Sequence, residues 1–162
     1  MTAPLVPAHV NLRNLPTMPL DVNKLRDSGF ATKASGEEFH AAVLLWCTSW
    51  HQLPAGSLPN DDRELAKFAG LGRVVAEWQR IKPGAMYGWV LCSDGRWYHK
   101  QIAKIVIEAW RYKMKYAYDK CVDRIRKANR QLEKKQEKQE AIPTFDAWLE
   151  SESAKFSAEI DL

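Results

Sequence analysis

Apolar residues recur along this chain at two periods, and the switches between them divide the sequence. Phe39, Val43, Trp46, Cys47 and Trp50 are spaced three or four apart, which predicts a helix with one buried face. Ser35 and Glu38 form an S-x-x-E capping box at its start, and Pro54 and Gly56 end it. Asp61 and Glu64 open a second helix, with Leu65, Phe68 and Ala69 inward and Gly70 closing it. A third spans about 73–81, with Val74, Val75, Trp78 and Ile81 inward and Pro83-Gly84 as its stop. The period then shortens to two. Residues 87–93 and 96–99 read as strands joined by Asp94-Gly95, a turn whose residues must both tolerate positive φ. Leu58-Pro59 reads as a short extended piece. A helical period returns from Gln101 to about Gln139, a length of ~60 Å at ~1.5 Å per residue. Pro143 breaks it, and a last short helix runs over about 144–157.

Upstream, Pro4, Pro7, Pro16 and Pro19 exclude helix from residues 1–20 and predict an extended arm, with Asp21 able to cap a short helix over 21–26. The four segments expected are an arm (1–34), a head (35–100), a long basic helix (101–139) and an acidic helical tail (140–162). Within the head the order is helix, extended piece, helix, the Gly70-Leu71-Gly72 turn, helix and hairpin. That order is a winged helix, so the predicted fold is mainly α with a small β-hairpin: a winged helix-turn-helix head followed by a long C-terminal helix.

Charge changes the picture. The net charge of +4 is mild, but residues 1–99 carry +1, residues 100–132 carry +7 and residues 133–162 carry −4. A neutral head, a basic stalk and an acidic tail imply different partners. In a winged helix the third helix reads DNA and neighbouring elements hold phosphates. The candidate DNA-binding residues in the head are therefore Arg73, Gln79, Arg80 and Lys82, with Arg96 on the wing. In the stalk, WRYKMKYAYDK interleaves aromatic and basic residues, a pattern that suits single strands. Lys113, Lys115, Arg124, Arg126 and Lys127 join the candidates there. Glu77 on the third helix and the small charge of the head weigh against DNA.

Other chemistry is sparse. Cys47, Cys92 and Cys121 are odd in number and scattered, so no disulfide framework or zinc motif is expected, and Cys47 and Cys92 read as small buried hydrophobes. His9, His40, His51 and His99 lack ligand spacing. Asp61, Asp62 and Glu64 could hold a nuclease metal, but helix capping accounts for all three. No phosphate-binding loop or nucleophile motif is present. No catalytic residue, metal or cofactor is expected. With no signal-like start and no apolar run longer than 41–46, the chain is expected to be cytoplasmic and not membrane-bound.

Two association surfaces are also expected. Tyr118, Val122, Ile125 and Leu132 form a narrow stripe suited to helix pairing, hence a homo-oligomer. Phe145, Trp148, Leu149 and Phe156, framed by Asp146, Glu150 and Glu159, could fill a partner's groove or pack back on the protein itself.

The runs ASGEEFHAAVLLWCTSWHQ, SLPNDDRELAKFAGLG, VVAEWQRIKPG and GWVLCSDGRWYHKQIA, with MPLDVNKLRDS before them, resemble the YdaU-type domain of unknown function. The resemblance covers about residues 15–111. That family occurs largely in phages and prophages, often beside replication genes. The resemblance implies a winged-helix-like domain with a role in phage DNA replication, and it transfers no catalytic residue. The expected function is a non-catalytic DNA-binding protein of phage replication or its regulation. The alternative is an adaptor or inhibitor that uses a winged-helix scaffold to bind a host or phage protein.

Overall fold

The computed structural model describes residues 2–160, with side chains to Phe156. It is mainly helical with a small antiparallel sheet and a long C-terminal helix. The chain divides into two compact units, residues 1–107 and 108–162, and the division falls inside that helix.

The first unit begins with residues 2–20, which are not helical. Val6, Val10 and Leu12 of this segment are buried in the core. Ala55 N–H donates to the Val10 carbonyl at 2.9 Å, and the Trp50 indole donates to the Leu15 carbonyl at 2.9 Å. Two short helices follow, α1 (Val22–Arg26), capped by Asp21, and α2 (Gly29–Lys33), capped by Ser28.

Helix α3 (Gly36–Trp50) starts at the complete Ser35–Glu38 capping box. Its buried face is Ala41, Ala42, Leu45, Trp46, Ser49 and Trp50, whereas Cys47 is exposed. The buried face is thus rotated from the predicted one, and of the two cysteines expected inside only Cys92 is buried. AAVLLW is apolar around most of the helix, so its period does not choose a face. The alanines, which leave room for close packing, do.

Strand β1 (Ser57–Pro59) precedes α4 (Asp62–Phe68), where Asp61 accepts from the Arg63 and Glu64 amides. Gly70 and Gly72, at φ 83° and 61°, make the turn into α5 (Val75–Ala85). Val74 precedes that helix and is exposed rather than inward. Pro83 does not stop α5. It sits in the last turn, where the Met86 N–H reaches the Lys82 carbonyl at 2.9 Å and the buried Ala85 and Met86 hold the turn in the core.

Strands β2 (Trp89–Leu91) and β3 (Arg96–His99) form the wing, and β1 pairs with β3 to give the order β1-β3-β2. The element order and the three-stranded sheet are those of a winged helix-turn-helix. The wing turn is one residue longer than a two-residue hairpin. Gly95 N–H bonds the Cys92 carbonyl and Cys92 N–H bonds the Arg96 carbonyl, so only Gly95 (φ 73°) needs the left-handed region. Thr2 forms a parallel bridge with Cys92 beside the wing.

Helix α6 (Lys100–Lys134) ends before the predicted Gln139. Glu137 N–H reaches the Leu132 carbonyl and Gln136 N–H the Glu133 carbonyl, a Schellman ending with Gln136 at φ 57°. Within the second unit the chain then reverses into α7 (Phe145–Ile160). Tyr118 donates to the Pro143 carbonyl at 2.7 Å, and the Asn129 amide pairs with both backbone groups of Glu140 at 2.8 Å. Tyr118 packs its ring against Phe145 and Trp148, and Trp110 packs on Phe156.

His99 lies between the rings of Trp46 and Trp89, and its Nδ1 is buried without a partner among the described residues. Burial lowers its pKa below the usual 6.5. Above that value the imidazole is neutral in the folded and the unfolded chain alike. As pH falls through 6.5 the unfolded chain takes up a proton that folded His99 refuses, so stability declines from there down to the folded pKa. Urea unfolding should therefore show weaker stability at pH 5.5 than at pH 7.5. His99→Phe should reduce that slope without abolishing it, because burial also lowers His9. A pH-independent midpoint would refute this.

Candidate nucleic-acid interface

The head supplies less free positive charge than its sequence suggests. Arg80 is ion-paired to Glu37 at 2.5 Å and to Glu77 at 3.0 Å, and these acids raise its pKa further. Lys82 is ion-paired to Asp62 at 2.7 Å and lies 5.9 Å over the Trp97 ring. The Lys82 bond, the Trp78 indole and Gln79 all act on Asp62 and hold its carboxyl below the usual carboxylate range. On the wing, Arg96 donates to Ser57 Oγ at 2.8 Å and reaches Gln52 at 3.4 Å. Arg73 is exposed and, among the described residues, makes no ion pair. Asp61 and Asp62, read as capping acids, are both engaged with neighbouring donors.

The second unit differs. Trp110, Met114, Val122 and Ile125 form the buried side of α6. Leu132 is half-buried, so the stripe read as a pairing seam is largely covered within the chain. Phe145, Trp148 and Phe156 meet α6 through their rings, and Leu149 is half-buried; the side chain of Glu159 lies outside the described residues.

On the opposite side stand Tyr112 and Tyr116, 80% and 63% exposed, followed by Lys120, Arg124, Lys127, Arg130 and Lys134. Spacings of three, four and seven place these residues on one broad face. Lys120 Nζ lies 4.5 Å from the Tyr116 ring centre. A shallow open hollow of about 590 Å³ is lined by Lys127, Arg130, Gln131, Glu133 and Lys134. Among the described residues, no ion pair engages Lys120, Arg124, Lys127, Arg130 or Lys134.

The remaining predicted stalk residues are occupied. Lys113 lies 5.3 Å over Trp110, and desolvation lowers its pKa. Lys115 pairs with Asp119 at 3.0 Å and lies over Tyr118 and Phe145. Arg126 pairs with Asp123 at 3.7 Å, and Arg124 also reaches Cys121 Sγ at 3.5 Å. Sequence reasoning points to the interleaved segment but leaves Tyr112, Tyr116, Lys120, Arg130 and Lys134 out of the site. The repeat of 112, 116 and 120 at one turn apart is the signal for the first three.

Residues 16–106 match the family described as Protein of unknown function (DUF1376). The chain belongs to the DUF1376 family. No curated protein and no solved structure is matched by it. The DUF1376 match covers the winged helix and ends before Tyr112, so the exposed tyrosines and the basic stripe lie outside the matched range. Among the described residues no helix is long and apolar enough to cross a membrane.

Proposed function

We propose that this protein binds DNA without catalysing a reaction, using the basic face of α6, and that it acts in phage or prophage DNA replication or its regulation inside the cell. One observation carries the DNA reading: among the described residues, five cations on one helical face are free of ion pairs, beside two exposed aromatic rings. Phosphates attract such a face, and releasing their counterions makes binding fall with salt. The replication role rests on the likeness of the head's motifs to a phage-associated domain. Of the four cations that the sequence assigns to the head's DNA contact, Arg73 is the one without an ion pair or side-chain hydrogen bond among the described residues, because Arg80, Lys82 and Arg96 are already engaged. That same engagement supports a second reading in which the winged helix binds protein, with the exposed Val74 and Tyr87 available to a partner.

Titrating a labelled DNA at rising salt separates the two. Replacing Lys120, Arg124, Lys127 and Arg130 with Ala should flatten the slope of log affinity against log salt by about 3, at ~0.7–0.9 per lost phosphate contact. An unchanged slope would remove α6 from the interface. No binding at low salt by the unaltered protein would favour the protein-binding reading.

A further inference from the structure

We infer that the α6 face takes single-stranded rather than duplex DNA, with Tyr112 and Tyr116 as stacking platforms. This rests on the DNA reading above and narrows it to the state of the strand. Large aromatic side chains ordinarily bury most of their surface. Trp110 and Tyr118, on the same helix, pack against Phe156 and Phe145 of α7. Tyr112 and Tyr116 stand on the other side of α6, 80% and 63% exposed.

Holding phosphates calls for cations and needs no rings. What a ring adds is a π-face for a base, and a base is free to use it only when it is not stacked inside a duplex. The two tyrosines are one helical turn apart, so their rings serve neighbouring bases along one direction. Lys120 Nζ lies over one face of the Tyr116 ring at 4.5 Å, which leaves the other face for a base and sets a phosphate-binding charge against the same ring. The stripe then continues through Arg124, Lys127, Arg130 and Lys134, a track that stays net positive although Asp123 and Glu133 lie along it. Asp119 and Asp123, which precede Lys120 and Arg124 in sequence, are paired with Lys115 and Arg126. Stacking of this kind accepts any base, so little sequence preference accompanies it.

The test uses the full chain, a labelled oligothymidine that forms no secondary structure, and a duplex of equal length, each titrated at two salt concentrations. The unaltered protein should bind the single strand more tightly. Replacing both Tyr112 and Tyr116 with Ala should weaken single-strand binding by about tenfold to a hundredfold per ring, with the salt slope unchanged. Replacing both with Phe keeps the rings and should restore binding. A preference for the duplex, or alanine variants that bind the single strand as well as the unaltered protein, would overturn the inference while leaving DNA binding through the cations intact. Absence of binding to either DNA at low salt would overturn both.

Discussion

Trp78→Ala should cost the winged helix about 3–5 kcal/mol, a large part of the ~5–15 kcal/mol that holds a typical domain. Trp78 is fully buried on α5, and its indole donates to Asp62 Oδ1 at 2.9 Å. The same oxygen accepts from Lys82 at 2.7 Å. Truncation therefore leaves a cavity and takes one donor from a carboxylate that ties α4 to α5. Trp78→Phe leaves the smaller cavity of the two: it keeps a six-membered ring and loses the bond to a charged group, worth about 1.5–3 kcal/mol, together with the packing of the indole's second ring. Urea titration reads both: the alanine midpoint should fall furthest, with the phenylalanine between it and the parent. A loss below about 1 kcal/mol for the alanine variant would mean that the helix-turn-helix does not depend on this side chain.

Deleting residues 143–162 should lower the melting temperature by roughly 5–15 °C, at ~2–4 °C per kcal/mol for a chain of this size. The deletion removes the Tyr118 bond to Pro143, three aromatic pairs, and the cations of Arg111 and Lys115 over Phe145, all within the second unit. Each aromatic pair is worth about 0.5–1.5 kcal/mol beyond the area it buries. Without α7 the buried side of α6 faces water, and a helix draws most of its stability from such packing. Far-ultraviolet circular dichroism on heating measures this directly. A truncated protein that melts like the parent would mean that the tail adds nothing to its own fold and is free to engage something else.

The sequence reveals local chemistry better than it reveals faces. Ser35, Asp61 and Asp21 cap helices as their side chains dictate, because capping is decided within a few residues. The hairpin at Asp94-Gly95 is legible for the same reason. Cys47 falls off the predicted face because an apolar run around a whole helix carries no phase. Pro83 reads as a stop in sequence because the burial of Ala85 and Met86, a tertiary fact, is what carries α5 past it. The candidate interface is legible in kind but not in detail. Aromatic and basic residues alternate visibly in 110–120, and the Lys115–Asp119 pair is one helical turn long, but the ion pairs of Arg80 with Glu37 and of Lys82 with Asp62 depend on partners that the fold brings close.

The bridge from Thr2 to Cys92 has a kinetic consequence. Ordering that edge of the wing requires the start of the first unit to find a strand near its end, so loop-closure entropy falls on one late contact. The α6–α7 hairpin closes over a shorter stretch of chain, and its first contacts, Asn129 with Glu140, lie beside the reversal itself. Contacts that are close in sequence form faster than distant ones. In a refolding experiment followed by amide-exchange labelling, protection should therefore spread outward from the Gln136 reversal before the amide of Ser93, which bonds the Thr2 carbonyl, becomes protected.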